Sequence, residues 1–440
     1  MSSPARIKKD VGWSDRQAGN RALHELSSSY IGVAPVSYAI TYEPGELPST
    51  YIGVECCEAR LTLGYPANPN NGGANLEAES SFLAGVAETV ERYSAVYATT
   101  SDLQADPQLP ILLPAGGKPF SAEQYERPDF DYAPYEAESI LWTTAFDPLS
   151  EEEVRVPAST VFLREFSDQP KRYDYHTSNG LAAGPSLEEA FLSGLLELIE
   201  RDGVMRAWES RWTPPKIDML SGPRTQKFVE EYASRTALDY TALDLTPLTG
   251  VPTALGIVID SRGKEIMMGT GAKASWDPEK AAIGALTEAF HCVGYSRNIL
   301  RSRGRMPENI QMARKNVRDL EDHVRFYASS KAVERASWLL SSSETLDLSS
   351  SKSIAAPTPG QAVLNLLDIL DDQGVRCVGI DVTAPDIAET PLRVVRVVSD
   401  ELVPLTVGYG NSHLGYSRLT SMVATKTGSS FFNPDPHPFP

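Results

Sequence analysis

Two E-x-x-E-R units carry the chemistry that this sequence could perform. The first spans residues 88–92 and the second residues 197–201, and each follows a serine and several small residues. On a helix this spacing places two carboxylates and an arginine on one face, where a single unit is ordinarily a surface ion pair worth a few tenths of a kcal/mol. Two units on facing helices would repel each other unless a cation lay between them. Because carboxylate oxygens suit Mg²⁺ and arginine suits phosphate, the pair indicates a magnesium–nucleotide site if the helices meet.

Each unit lies in a segment whose apolar residues recur with helical spacing. The first predicted helix runs over residues 77–98. The second begins after Ser186, a predicted N-cap, and Glu189 follows three residues later as in a capping box. Apolar residues fill most of the remaining circumference, so we expect an amphipathic helix with its carboxylates gathered on one side.

Three further stretches bear on a possible site. The predicted amphipathic helix 277–295 carries Glu288 and, one turn beyond it, His291. Segment 64–77 is rich in Gly, Asn and Pro and is predicted as a loop, which could hold an anion with its backbone N–H groups. The strongly charged stretch 306–337 has a helical pattern and is predicted to form a solvated surface.

The remaining segments predict an α+β fold with mixed sheets. Alternating apolar residues predict strands at residues 31–41, 51–63, 140–146, 154–163, 238–245, 253–260, 265–272, 376–383 and 392–399. Further helices are predicted at 15–28 and 361–373. The Pro-rich segment 102–138 and the Ser-rich segment 341–360 are predicted to be irregular.

The composition disfavours several classes of protein. The 440 residues carry a formal net charge of −18, which disfavours nucleic acid as the main partner. The sequence has neither an apolar run long enough for a transmembrane helix nor a secretory signal, so we expect a cytoplasmic protein. The cysteines lack C-x-x-C spacing, which makes a structural zinc site unlikely and predicts buried thiols in a reducing compartment. They are Cys56, Cys57, Cys292 and Cys377.

The chain ends in a proline-rich tail. Prolines at 434, 436, 438 and 440 fix φ and favour an extended, polyproline-like form. Most C-terminal tails are disordered, but a stiff tail loses less entropy when it docks. A rigid tail that ends in a carboxylate could deliver that carboxylate to a fixed place.

Taken together, these phrases resemble the YcaO family and, more narrowly, its azoline-forming cyclodehydratases. The resemblance covers about residues 23–440. The resemblance rests on five motifs. They are the two E-x-x-E-R units with their preceding serines, ending at Arg92 and Arg201, the N-G-L-A-A-G motif at 179–184, the L-T-E-A motif at 286–289 and the P-x-P-x-P ending at 436–440. It implies a YcaO-type fold with glutamate-bearing helices around an ATP site. We expect an N-terminal αβ segment at 1–75, an ATP-binding catalytic domain at 76–430 and a tail at 431–440 that enters the active site.

The resemblance also implies roles for individual residues, with ATP and Mg²⁺ bound between the glutamate helices. The implied magnesium ligands are Glu88, Glu91, Glu197 and Glu200. The implied nucleotide contacts are Ser81, Arg92, Asn179, Glu189, Ser193, Arg201, Glu288 and His291. The tail residues Pro436, Pro438 and Pro440 are the implied catalytic segment, with the terminal carboxylate of Pro440 as the base or positioning group.

Two departures from the family pattern stand out. Relatives often carry G-K-G before the first helix, whereas residues 71–74 here read N-G-G-A without a lysine. Relatives often carry E-x-x-Q in the third helix, whereas His291 stands here in place of the amide.

The implied reaction is an ATP-dependent cyclodehydration. A Cys, Ser or Thr side chain of a ribosomal precursor peptide attacks the preceding carbonyl, ATP phosphorylates the resulting oxygen, and loss of phosphate leaves a thiazoline or oxazoline. The implied partners are a separate ThiF-like protein that binds the leader peptide, a flavin-dependent azoline dehydrogenase and a second copy of the chain. Two alternatives stay open: a YcaO enzyme that forms a macroamidine or thioamide, and a non-catalytic scaffold with the same fold.

Overall fold

Fourteen helices and fourteen strands are assigned in the computed structural model, which describes residues 2–166, 171–427 and 432–439. The strands are β1 (Ser3–Pro4), β2 (Val36–Ile40), β3 (Thr50–Glu55), β4 (Asn70–Asn75), β5 (Trp142–Asp147), β6 (Glu152–Pro157), β7 (Leu181–Gly184), β8 (Lys216–Asp218), β9 (Asp239–Asp244), β10 (Thr253–Asp260), β11 (Met267–Ala274), β12 (Thr345–Asp347), β13 (Cys377–Asp381) and β14 (Arg393–Ser399).

The helices range from single turns to the long α9. They are α1 (Arg16–Leu26), α2 (Ala59–Leu63), α3 (Ala78–Ala95), α4 (Ala122–Tyr125), α5 (Ala158–Val161), α6 (Leu187–Glu209), α7 (Pro223–Glu231), α8 (Thr246–Thr249), α9 (Pro278–Arg303), α10 (Ile310–Lys315), α11 (Leu320–Phe326), α12 (Ser330–Ala336), α13 (Pro359–Asp371) and α14 (Ser417–Thr427). None of the helices in these described ranges is long and apolar enough to cross a membrane.

The strands form three sheets. The first has the order β6-β5-β13-β14-β7, with β1 paired to β13; the second has the order β11-β10-β9-β8-β12; and the third has the order β2-β3-β4. The pairs are antiparallel except β8 with β12, which is parallel. This mixture of sheets and helices confirms the predicted α+β class.

Three helices connect the sheets and bring the site together. Helix α3 packs on β3 and β4 and also contacts β7 and β14. Helix α6 packs on β7 and β14 on one side and on β11 on the other, whereas α9 covers β10 and β11. Helices α3 and α6 therefore share contacts with β7 and β14, and α6 and α9 share contacts with β10 and β11, so the strands bring the three helices into one region. The sequence alone could not supply this condition.

The structure corrects the predicted loop 64–77. Residues 70–75 form strand β4, which pairs with β3 in register from Thr50 to Glu55. A side chain at Gly73 would collide with the carbonyl oxygen of Ser81, so the glycine permits α3 to lie against this strand. The glycines that led to the loop prediction thus allow the strand and the helix to pack closely.

Other corrections concern the ends and surroundings of elements. The predicted strand 51–63 ends at Glu55 and is followed by helix α2; Cys56 and Cys57 come just after the strand rather than in it. The four cysteines are free thiols, but only Cys292 and Cys377 are buried as predicted, whereas Cys56 and Cys57 are half-buried. Helix α6 is buried on most of its circumference and lacks the solvated face of an amphipathic helix.

The charged stretch 306–337 is not a solvated helical surface. It forms three short helices, α10 to α12, joined by turns. Phe326 and Tyr327 are each only 1 % exposed, and Arg314 and His323 are buried as well. The division of the chain at residues 75 and 430 stays a prediction.

Candidate active site

The carboxylates of α3 are held by backbone N–H groups of neighbouring strands. The Gly72 N–H donates to Glu88 Oε2 at 2.6 Å, and Arg92 Nη2 lies 2.7 Å from Glu88 Oε1. The Ala183 N–H donates to Glu91 Oε1 at 2.8 Å. Burial, together with the charges of Glu88 and Glu197, raises the pKa of Glu91 to about 8. Helix α3 therefore presents one carboxylate paired with an arginine and one that is protonated near neutral pH.

Helix α6 repeats this arrangement with its own unit. Its start is capped by Ser186, whose hydroxyl accepts from the Glu189 N–H at 3.1 Å. The Gly180 N–H donates to Glu197 Oε2 at 3.0 Å, and Gly180 has a φ of +79° that favours glycine. The two units thus use the same device, a backbone N–H from an adjacent loop or strand that orients a glutamate.

Arg201 joins both carboxylates of the second unit. Its Nη2 lies 3.3 Å from Glu197 Oε1 and its Nη1 lies 2.8 Å from Glu200 Oε1. The Glu200 side chain is only 5 % exposed, and burial, together with the charges of Glu288 and Glu197, raises its pKa to about 7 despite Arg201. The raised pKa shows that Arg201 alone does not offset the removal of the Glu200 carboxylate from water.

The third helix adds Glu288, and β11 adds a lysine that the sequence motifs did not identify. Lys273 Nζ lies 3.8 Å from Glu288 Oε1. The charges of Glu288 and Glu200 raise the pKa of Lys273, while burial raises that of Glu288. Relatives that carry a G-K-G lysine place it before the first helix; Lys273 brings an ammonium to this region from a different element.

His291 lies on α9 among aromatic and polar side chains. Burial lowers its pKa to about 4, so the ring is neutral at pH 7. Neither ring nitrogen has a hydrogen-bond partner within the described ranges. The ring can therefore both donate and accept, as the amide of relatives does, and its contact with nucleotide stays a prediction.

The remaining predicted contacts have different surroundings. The Ser81 hydroxyl is buried and donates to the Thr50 carbonyl at 2.7 Å. The Glu189 carboxylate accepts from the Ser14 N–H at 2.9 Å, so it holds the N-terminal segment instead of completing a capping box. Ser193 is exposed on α6. Their roles in binding nucleotide stay predictions.

Arg396 on β14 is a second basic residue that the sequence motifs did not identify. It is only 7 % exposed, its Nε donates to the Thr160 carbonyl at 3.0 Å, and it forms no ion pair with any described carboxylate. Burial lowers its pKa to about 10, while the nearby Glu197 charge opposes that change. A buried guanidinium without a counter-charge is costly, which favours an anionic ligand here.

The polar groups of this region fit a magnesium–nucleotide complex. Asn179 Nδ2, Arg396 Nη1 and Arg201 Nε are buried donors that lack a hydrogen-bond partner within the described residues. Phosphate oxygens would satisfy such donors. The raised pKa values of Glu91 and Glu200 would fall if a divalent cation lay beside them. The described side chains do not form a ready-made metal cage of three or more Asp, Glu, His or Cys residues, because arginine, lysine and backbone N–H groups now hold the carboxylates.

The C-terminal tail reaches this region. Pro436 and Pro438 are buried, and the Pro438 carbonyl accepts from the Thr270 hydroxyl at 2.7 Å. The guanidinium carbon of Arg201 lies 4.4 Å from the centre of the Phe439 ring, within the range of a cation–π contact. The predicted catalytic residue Pro440 lies outside the described residues, so its position stays a prediction.

Curated proteins match part of this chain in sequence. A protein encoded in the tfuA 3′ region of Rhizobium leguminosarum bv. trifolii, itself uncharacterised, is 31% identical over 166 residues, which make up 34% of this chain and 38% of that protein. The chain therefore spans about two fifths of the length of the curated relatives that it matches.

Two solved structures share the fold. A heterocyclase in complex with substrate and cofactor superposes with a TM-score of 0.71 at 24% identity, covering 99% of this chain and 58% of that one. The YcaO protein of Methanopyrus kandleri bound with AMPPCP and Mg²⁺ superposes with a TM-score of 0.61 at 19% identity, covering 92% and 98%. These likenesses confirm the predicted fold.

A family model confirms the predicted class of protein. The model of the YcaO cyclodehydratases, described as ATP- and Mg²⁺-binding, matches residues 72–403. The description of the family agrees with the predicted cofactors, ATP and Mg²⁺. We conclude that this chain belongs to the YcaO cyclodehydratase family.

Proposed function

We propose that this chain catalyses the ATP-dependent conversion of Cys, Ser or Thr residues of a ribosomal precursor peptide to thiazolines or (methyl)oxazolines. The observation that carries the proposal is the double contact of Arg201. Its guanidinium pairs with Glu197 and Glu200 on one side and lies against the Phe439 ring of the tail on the other. The tail residue Phe439 therefore contacts an arginine that pairs with two members of the acidic cluster, which we define as Glu88, Glu91, Glu197 and Glu200. This contact supports an azoline-forming enzyme.

The residues around Arg201 divide into two groups by charge. Glu88, Glu91, Glu197 and Glu200 would hold Mg²⁺, which neutralises phosphate charge when bound. The basic and amide groups would hold phosphate oxygens. Asn179, Arg201 and Arg396 have unpartnered donors, whereas Arg92 pairs with Glu88 and Lys273 with Glu288. This second group comprises Arg92, Arg201, Lys273, Arg396 and Asn179.

The proposed reaction proceeds in two stages. The substrate thiol or hydroxyl attacks the preceding backbone carbonyl carbon, forms a C–S or C–O bond and loses its proton to a base. The resulting oxygen takes the γ-phosphoryl group of ATP, and cleavage of the C–O bond then releases phosphate while the former amide nitrogen loses its proton and forms C=N. The products are the azoline peptide, ADP and phosphate. The terminal carboxylate of Pro440, two residues beyond the Thr270-bound Pro438, is the proposed base or positioning group.

We also propose that a separate protein presents the peptide. The heterocyclase chain is longer than this one, since the superposition covers only 58% of it. In this proposal a ThiF-like partner binds the leader peptide. A second copy of the chain and a flavin-dependent azoline dehydrogenase complete the proposed assembly.

Mass spectrometry of a co-expressed precursor peptide tests the proposal. Co-expression with a ThiF-like partner and a Cys/Ser/Thr-rich peptide should give products lighter by one water molecule per ring, with ADP formed in equal number. Exchange of oxygen for sulfur would indicate a thioamide-forming enzyme, whereas ring formation from an N-terminal amine would indicate a macroamidine. A peptide left unchanged while ATP is not consumed would contradict the proposal and favour a scaffold.

A further inference from the structure

The tail is held along its length by side chains from distant elements. Four consecutive backbone carbonyls, those of residues 435–438, each accept a hydrogen bond from a different side chain. The donors and distances are Trp208 Nε1 at 2.9 Å, Tyr327 Oη at 2.6 Å, His323 Nδ1 at 2.9 Å and Thr270 Oγ1 at 2.7 Å, in that order. Proline has no N–H, so this segment cannot form the regular hydrogen bonds of a β-strand. Its carbonyl groups accept hydrogen bonds from side chains instead of from a neighbouring strand.

Two backbone N–H groups of this segment are satisfied within the tail itself. The Asp435 N–H donates to Asn433 Oδ1 at 3.2 Å, and the Phe439 N–H donates to His437 Nδ1 at 3.3 Å. His437 Nε2 in turn lies 2.5 Å from the Thr406 carbonyl, which fixes the ring as a donor at Nε2 and an acceptor at Nδ1. These local hydrogen bonds therefore stabilise the conformation in which the tail docks.

One charged side chain of the tail is buried in a clamp of two arginines. The Asp435 side chain is 4 % exposed. Arg314 Nε donates to its Oδ1 at 2.6 Å, and Arg314 Nη2 also pairs with that oxygen. Arg335 Nε lies 3.0 Å from each carboxylate oxygen, and its Nη2 lies 2.9 Å from Oδ2. Both oxygens of Asp435 are thus neutralised away from solvent.

The clamp belongs to the charged stretch that the sequence predicted to be a solvated surface. Arg314 lies on α10, His323 on α11 and Arg335 on α12, and Tyr327 directly follows α11. We name these four residues, together with Trp208 and Thr270, the tail cradle. Their side chains all face the tail, which accounts for a charged helical segment that is nevertheless buried.

We propose that Asp435 is the positioning residue that sets the register of the tail and so fixes how far its last residues extend into the active site. The proposal deepens the proposed function and rests on it for its catalytic consequence. Hydrogen bonds to carbonyls alone would permit a slip along the tail, because every residue offers a carbonyl. A slip would remove the only carboxylate side chain of residues 432–439 from its two arginines, and a buried carboxylate cannot lose such partners cheaply.

Hydrogen–deuterium exchange of the full-length protein tests this anchor without any substrate. In Asp435→Asn, the N–H groups of the tail peptide 432–439 should exchange at least about tenfold faster than in the wild type, because the docked state opens more often. Exchange in α6 should remain as in the wild type. Asp368→Asn, which changes an exposed aspartate of α13, is the matched control and should leave tail exchange unchanged.

Arg335→Gln provides a second variant if Asp435→Asn folds poorly. Its side chain is 39 % exposed, and its loss leaves Arg314 on the carboxylate, so a smaller acceleration of tail exchange is expected. Tail exchange that stays at the wild-type rate in both variants would overturn the proposal.

Kinetics on the enzyme with its partner and precursor peptide supply the second readout. Asp435→Asn should lower kcat for ring formation by about tenfold or more. The KM for ATP should change less than about twofold, because no described contact joins the tail to Glu88 or Glu91, the proposed magnesium ligands on α3. A general folding defect would change both. If the wild type formed no ring while Asp435→Asn still released the tail, the proposed function would fail and the anchor would stand.

Discussion

The acidic cluster and the tail cradle differ in how completely their polar groups are satisfied. In the cluster, burial and like charges raise the pKa of Glu91 to about 8 and that of Glu200 to about 7. Donors of Asn179 and Arg396 lack partners within the described residues. In the cradle, each carbonyl from residue 435 to 438 has its donor.

This difference separates a region built for a ligand from one built for a part of the chain. Buried polar groups are ordinarily paired, so a concentration of unpaired ones indicates that a partner is missing. The cluster keeps buried carboxylates with raised pKa values and donors without acceptors, and a magnesium–nucleotide complex would supply a cation to the first and phosphate oxygens to the second. The cradle needs neither, because the tail already occupies it.

Removal of the tail should have the largest effect on turnover. Deletion of residues 436–440 takes away Phe439 and the terminal carboxylate but none of the glutamates. Ring formation should become undetectable, whereas ATP affinity measured by calorimetry should stay within about threefold of the wild type, since all four glutamates and the donors beside them remain. Unchanged ring formation would show that the tail has no catalytic part.

Substitution of one glutamate tests the other side of the comparison. Glu200→Gln keeps the shape of the side chain but removes a buried carboxylate, so Mg²⁺-dependent ATP binding should weaken by about 100-fold, on the order of 3 kcal/mol. Tail exchange should remain near the wild-type rate. Glu231→Gln, which changes the exposed partner of Lys227, is the matched control. An unaltered affinity in Glu200→Gln would contradict the assignment of this side chain to the metal.

Arg396 distinguishes a ligand contact from a structural ion pair. Arg396→Gln should weaken ATP binding by about tenfold, because one charge-assisted contact to an oxyanion is lost. The free energy of unfolding should change by less than about 1 kcal/mol, because no described ion pair of Arg396 is broken. Urea unfolding and calorimetry on the same sample measure both quantities, and a large loss of stability with normal ATP binding would reverse the interpretation.

Protonation of the cradle should produce the smallest effect. Burial lowers the pKa of His323 from 6.5 to about 4, opposed by the hydrogen bond to the His437 carbonyl and by the charges of Asp322 and Asp319. The unfolded chain therefore binds a proton that the folded chain excludes, so stability falls as pH falls from 6.5 towards 4. Between pH 7 and 5.5 the loss should be about 1 kcal/mol.

Urea unfolding at both pH values, on the wild type and on His323→Gln, checks this sign and size. The variant should lack that part of the pH dependence which arises from the imidazole. Equal slopes in the two proteins would show that His323 is not the titrating group.

The sequence predicted the acidic cluster better than the cradle, for a physical reason. Helical periodicity and the E-x-x-E-R spacing are local, so α3, α6 and the Ser186 cap could be read directly from the chain. Lys273 and Arg396 are single basic residues within strands, and no local pattern marks them. Only the packing of β11 and β14 against α6 brings them to the glutamates.

The cradle depends on contacts between residues far apart in the chain. Arg314 and Asp435 are 121 positions apart, and Trp208 and Asp435 are 227 positions apart. Charged residues in a helical pattern favour solvent when only their own segment is considered. Strand β4 was not predicted for a related reason. Its glycines are needed because α3 packs closely against it, and that requirement comes from another part of the chain.

Anomalous diffraction from crystals grown with Mn²⁺ and AMPPCP tests the central claim most directly. The account predicts a manganese peak about 2.1 Å from carboxylate oxygens of both glutamate helices, including Glu88 or Glu91 and Glu197 or Glu200, with the Phe439 ring still against Arg201. Bound nucleotide with its manganese held away from these four side chains would contradict it.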